Sequence, residues 1–119
     1  MTEERHGDWI LTYLGLQFWP IDPRPEDVNI TDIAHALANI CRYAGHTKLF
    51  YSVAEHCVLM AEAVRKAGGN LTAQRWALMH DGPEAYLVDI PRPLKKSLPD
   101  YQAIEERVHA AVAKRFGLP

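Results

Sequence analysis

A chain of 119 residues with 48% hydrophobic side chains has the length and apolar content of one compact domain, expected here as a single unit over 1–119. Thirteen basic residues against fifteen acidic ones give a net charge of -2, which provides no field to draw a nucleic-acid polymer or an anionic membrane surface and leaves a small ligand as the expected partner. The two cysteines, Cys41 and Cys57, form no CxxC and no dense array, which argues against a disulfide framework and for buried thiols in a reducing, cytoplasmic setting.

The opening Thr2, Glu3, Glu4 and Arg5 carry neither the basic stretch nor the apolar core of a secretory signal. The apolar run Trp9 to Ile21 is interrupted by Thr12, Gly15, Gln17 and Pro20, and is too short to cross a hydrocarbon core of roughly 30 Å as a helix. Aromatic and β-favouring side chains around Gly15 predict a short hairpin over Trp9 to Trp19, although periodicity alone leaves a helix open. Pro20, Pro23 and Pro25 then impose a loop, so residues 1–29 read as hairpin and loop and 30–119 as a helical core.

The first helix is expected to start at Thr31 as N-cap, to present Ile33, Leu37 and Ile40 on one face, and to stop at Gly45. Ser52 and Glu55 have the spacing of a capping box, and Gly68 with Gly69 supplies the next stop, which places His56 in the first turn of the second helix. Thr72 is the expected cap of a third helix running through Trp76 and Met79 to His80, with a break at Gly82 and a restart at Pro83. Ile90 to Pro93 reads as loop. Tyr101, Ile104, Val108, Val112 and Phe116 then repeat at helical spacing up to Gly117, a last helix expected to be purely structural. No internal repeat divides the chain, and the class is all-α. The sequence leaves a homodimer open.

The chemistry concentrates in one place. His80, Asp81, Glu84 and Asp89 fall within ten residues as H-D-x-x-E-x-x-x-x-D. Imidazole nitrogen and carboxylate oxygen both suit first-row divalent ions, and a helix end lets consecutive side chains converge where a helix interior would splay them. His56 becomes a third ligand if its helix lies against the one that ends at His80.

The stretches S-V-A-E-H at Ser52 to His56, H-D-G-P-E-A-Y at His80 to Tyr86 and D-I-P-R-P-L-K at Asp89 to Lys95 resemble the HD-domain phosphohydrolase superfamily. In order and spacing they are most similar to its bacterial and phage 5′-deoxynucleotidase branch, which also includes deoxynucleoside triphosphate hydrolases. The resemblance covers roughly Tyr13 to Pro119 and implies a helical bundle that binds one divalent ion, with manganese, cobalt, zinc, iron, nickel and magnesium all admitted. It implies a small nucleotide as substrate and hydrolysis of a phosphate ester by an activated water. His56, His80 and Asp81 would be the metal ligands, Glu84 would position or deprotonate the water, and Asp89 would contact the sugar. Arg42 would hold phosphate and Tyr43 would border the nucleoside, matching an arginine and aromatic that the family places some fourteen residues before its first ligand histidine. Lys95 matches a family lysine that adds a phosphate contact, and His46 in the Arg42 stretch is read as lining the same pocket.

The family normally completes its metal site with an aspartate on a later helix, and the sequence ends at Pro119 before such a helix. Asp89, Asp100 or water are the alternatives for the fourth position, since three protein ligands and an open site suit catalytic zinc. Plainer readings stand beside these. Arg42 suits the C-terminal end of a helix through the macrodipole, Lys95 and Lys96 suit a solvated pair, and His46 suits a turn closure. His35 and His109 read as packed or half-exposed side chains, His6 as exposed, and Phe18 and Trp19 as core aromatics. The rival functions are a nucleotide-binding or regulatory module without turnover, and a purely structural metal.

Overall fold

Five α-helices, three short 3-10 turns and one short hairpin form the regular structure of residues 4–119, which a computed structural model describes. Thr2 and Glu3, on which part of the reading against a secretory signal falls, lie outside the described residues. Strands β1 (Ile10–Leu11) and β2 (Gln17–Phe18) pair antiparallel, Ile10 opposite Phe18, around the turn that holds Gly15. The all-α class and the N-terminal hairpin expected from the sequence are both present. No helix among the described residues is long and apolar enough to cross a membrane.

Helix α1 (Ile30–Ala38) is capped by Asn29 rather than Thr31: the Asn29 side chain accepts hydrogen bonds from the backbone N–H groups of Thr31 and Asp32 at 2.8 and 3.4 Å. The helix also ends at Ala38, well before Gly45. The chain leaves helical geometry because Cys41 bridges to Ser52 and the N–H of Val53 donates to the carbonyl of Ile40 at 2.9 Å, an extended pairing that competes with another helical turn. Replacing Asn29 by alanine is expected to cost about 1 kcal/mol in urea or thermal unfolding, whereas Thr31→Ala should stay within about 0.5 kcal/mol; equal losses would put the cap back at Thr31.

Helix α2 (Val53–Lys66) starts as expected, with the Ser52 hydroxyl accepting from the N–H of Glu55 at 3.0 Å. Gly68 stops it, at φ +87, a left-handed conformation that glycine adopts without a Cβ penalty. Helix α3 (Leu71–Met79) is capped by Asn70, not Thr72, through an acceptance from the N–H of Ala73 at 2.8 Å. The four-residue turn between them folds α3 back along α2, the most extensive helix pair of the domain.

A 3-10 turn over Gly82–Ala85 follows α3, as the Gly-Pro break implied. Part of the segment expected as loop up to Pro93 is helical, since a short α4 (Arg92–Lys95) begins inside it with Pro93 in its first turn, where the missing N–H costs nothing. Helix α5 (Pro99–Arg115) closes the chain and buries Val108, Ala111 and Val112. A Cβ on Gly82 would stand 3.2 Å from Val112 Cγ1, so the 3-10 turn lies close against α5.

The hairpin fixes that turn from the other side. Phe18 is fully buried and stacks on Tyr86 at 3.8 Å between ring centroids, and the Tyr86 hydroxyl accepts from the N–H of Asn29 at 3.1 Å. Asp32, itself buried, accepts from the N–H of Leu14 at 2.8 Å. Trp19 departs from the core reading: it is half-buried, with the Arg5 guanidinium 4.0 Å above its ring.

Candidate metal centre

The α2–α3 hairpin sets the first turn of α2 beside the last residues of α3, which brings His56 to His80 with ring centroids 5.5 Å apart. Asp81 completes the group. Its Oδ2 lies 3.1 Å from Nε2 of His80 and 3.6 Å from Nε2 of His56, and one donor atom from each of the three residues falls within 4.8 Å of the other two. Ligand bonds of about 2.0–2.2 Å require neighbouring donor atoms roughly 3 to 3.5 Å apart, a spacing that the His80–Asp81 pair has and from which the wider separations of the group depart. His80 Nδ1 donates to the carbonyl of Ala77 at 2.5 Å, because a carbonyl can only accept. That bond leaves Nε2 of a neutral imidazole as the lone pair turned to the centre, the outer-shell arrangement that orients metal-ligating histidines.

Burial and mutual contacts shift the groups of the cluster in different directions. Burial, followed by the nearby Arg42 charge, holds the His56 ring below its ordinary pKa, so it keeps a free lone pair at neutral pH. His80 is held up by its hydrogen bond to Asp81 despite burial. For Asp81, burial pushes the carboxyl up, but hydrogen bonds from His80 and Glu84 outweigh it and hold the group at about 2. Glu84 is 7% exposed, and its Oε1 has no hydrogen-bond partner among the described residues. Burial first, then the carboxylates of Asp81 and Asp89, push Glu84 up to about 10. Cys57, buried in the same helix as His56, is pushed up to about 12 by burial and does not belong to the three clustered donors.

A cavity of about 410 Å³ opens on this group, and its lining contains Arg42, Tyr43, His56, His80, Asp81, Glu84, Asp89 and Lys95. Arg42 is fixed by its backbone, whose N–H donates to the carbonyl of Tyr51 at 2.8 Å, and by its guanidinium, 4.5 Å from the Tyr43 ring centroid and 5.2 Å from that of Tyr51. Tyr43 and Ala44 have φ of +58 and +54, a left-handed pair of non-glycine residues costing on the order of 1–3 kcal/mol each, held by the turn that presents Arg42 to the cavity.

His46 is exposed at the end of that turn and does not line the cavity, which favours the turn-closing alternative. Asp89 lines the cavity but, like exposed Asp100, does not join the three clustered donors. Lys95 lines it already paired, its Nζ 3.0 and 3.1 Å from the two carboxylate oxygens of Glu105. Helix α5, read as structural, contributes Gln102, Glu105, Glu106 and His109 to the lining of a second, larger groove of about 770 Å³ beside His80 and Asp81. Sequence reading also passes over Arg92, which lines both cavities, and Tyr51, which braces Arg42; a cation within D-I-P-R-P is the available signal for the first.

No family model matches the chain. Over 114 residues it is 45% identical to the uncharacterized protein YfdR of Escherichia coli K12, in an alignment that takes in 93% of this chain and 60% of that protein. Over 117 residues it is 43% identical to an uncharacterized protein of Rhodobacter capsulatus, covering 93% of this chain and 59% of the relative. The chain thus spans about three fifths of the length of the curated relatives it matches.

Proposed function

We propose that the chain is a metal-dependent phosphohydrolase acting on small nucleotides, with His56, His80 and Asp81 holding one divalent ion. The observation that carries this reading is the convergence of the three donor atoms within 4.8 Å at the mouth of a cavity that also holds the Arg42 guanidinium and a buried carboxyl, Glu84. A divalent cation supplies Lewis acidity towards a phosphoryl oxygen and acidifies water to a pKa of about 7.

The chain's own residues supply the rest. Arg42, braced between Tyr43 and Tyr51, offsets negative charge on the phosphoryl oxygens, a task its planar fork suits. Tyr43, 57% exposed, offers a ring to the nucleoside. Glu84 takes the proton of the attacking water as the new O–P bond forms, and that proton replaces phosphorus on the leaving oxygen as the ester bond breaks. Asp89 faces the same cavity outside the three-donor cluster, which suits it to a sugar hydroxyl rather than to the cation. The free thiols Cys41 and Cys57 fit the reducing cytoplasm as the place of action.

The test is a purified sample incubated with deoxynucleotides and, in turn, manganese, cobalt, zinc, iron, nickel and magnesium. Phosphate or polyphosphate release that chelator abolishes and metal restores is the expected result. Nucleotide binding without release would instead favour a regulatory module, and neither binding nor release would end the nucleotide reading.

A further inference from the structure

The two cavities share His80, Asp81, Arg92 and Lys95, so the larger groove beside α5 begins where the candidate metal centre ends. A nucleoside monophosphate has one anionic group to place, and the centre with Arg42 accommodates it. The shared wall holds a second guanidinium. Arg92 follows Pro91 and precedes Pro93, so its backbone is restrained, and its side chain makes no hydrogen bond or ion pair among the described residues. Lys95, by contrast, is already neutralised by Glu105. The groove beyond adds the exposed cation Lys96 and the half-buried His109 against Glu106. An uncommitted guanidinium presents a planar fork of donors that phosphate oxygens match and a hydrated lysine does not.

We propose that this junction is a second anion subsite, in which Arg92 binds a phosphate of the substrate other than the one attacked, so that the centre takes nucleoside di- or triphosphates with the tail running into the groove beside α5. This assignment rests on the nucleotide phosphohydrolase reading. It gives Arg42 and Arg92 separate tasks: one serves the phosphate under attack, the other counts phosphates.

The experiment compares mono-, di- and triphosphates of the same deoxynucleosides, by calorimetric binding and by product release, at a fixed free cobalt concentration so that chelation by the longer tail does not distort the comparison. Wild-type protein should bind a triphosphate about tenfold more tightly than the monophosphate, the effect of one charge-assisted contact. Arg92→Ala should remove most of that preference, weakening triphosphate about tenfold and at least about fivefold more than monophosphate, with Arg92→Lys intermediate. Unchanged melting temperatures would confirm that both variants are folded. Preference of the wild type for monophosphate, or equal losses for all three ligands in Arg92→Ala, would overturn the subsite and leave the phosphohydrolase reading standing. Failure of every nucleotide to bind or react would overturn both.

Discussion

Changing Asp81 to alanine is expected to abolish divalent-ion binding, lowering affinity for cobalt or manganese by at least about 100-fold, more than the loss of an outer-shell partner produces. Asp81 is the one anion among the three donors, and it touches both imidazoles at 3.1 and 3.6 Å. Without it the cation meets two neutral rings and no compensating charge, and the hydrogen bond that holds the His80 proton in the metal-free protein is gone as well. Equilibrium dialysis with cobalt reads the result directly, and a melting curve separates loss of binding from loss of fold. Retained stoichiometric cobalt in Asp81→Ala would mean that the convergence of these side chains serves packing, not metal.

That convergence is legible in the sequence because it depends on strong local signals. The cap at Ser52, a double glycine at 68 and 69 and a Gly-Pro break after Asp81 each act within a few residues, and together they fix where α2 begins and where α3 ends. Sequence and structure part where two local signals of equal strength compete or where partners are distant. Asn29 and Thr31 are both good caps, and so are Asn70 and Thr72; in each case the earlier residue wins, because the helix already extends through the intervening position. The early end of α1 at Ala38 is set by the Cys41–Ser52 bridge, a pairing with no periodic trace in the sequence. The site shows the same division. Arg42, Tyr43, Glu84, Asp89 and Lys95 share the cavity that their motifs suggested, while the Lys95–Glu105 pair and the second groove depend on α5 packing across the Gly82 turn. The position of His46 follows from the left-handed Tyr43–Ala44 turn, which sends the chain away from the cavity after Gly45.

Glu84→Gln is expected to keep metal binding and to lower turnover by about 10²- to 10⁴-fold, the range of a single proton-transfer group. The amide keeps the shape and a hydrogen-bond donor but cannot take a proton from water. The same substitution has a second readout in the metal-free protein. Glu84 sits at about 10 when folded against an ordinary 4.5, so between those values the native state retains a proton that the unfolded chain has released. Stability from this group is therefore complete below about 4.5 and is lost progressively as pH rises towards 10. The substituted amide does not titrate, so the melting temperature of the variant should gain on that of the wild type across this window. A cation held by Asp81 would reverse the local charge that Glu84 feels, in the way that bound metal ions invert the logic of neighbouring acids, and would favour the ionised carboxylate. Saturating cobalt should accordingly shrink the melting-temperature difference between wild type and variant at high pH. A difference that ignores both pH and metal, with turnover intact, would take Glu84 out of the chemistry and leave it a buried carboxyl of the fold.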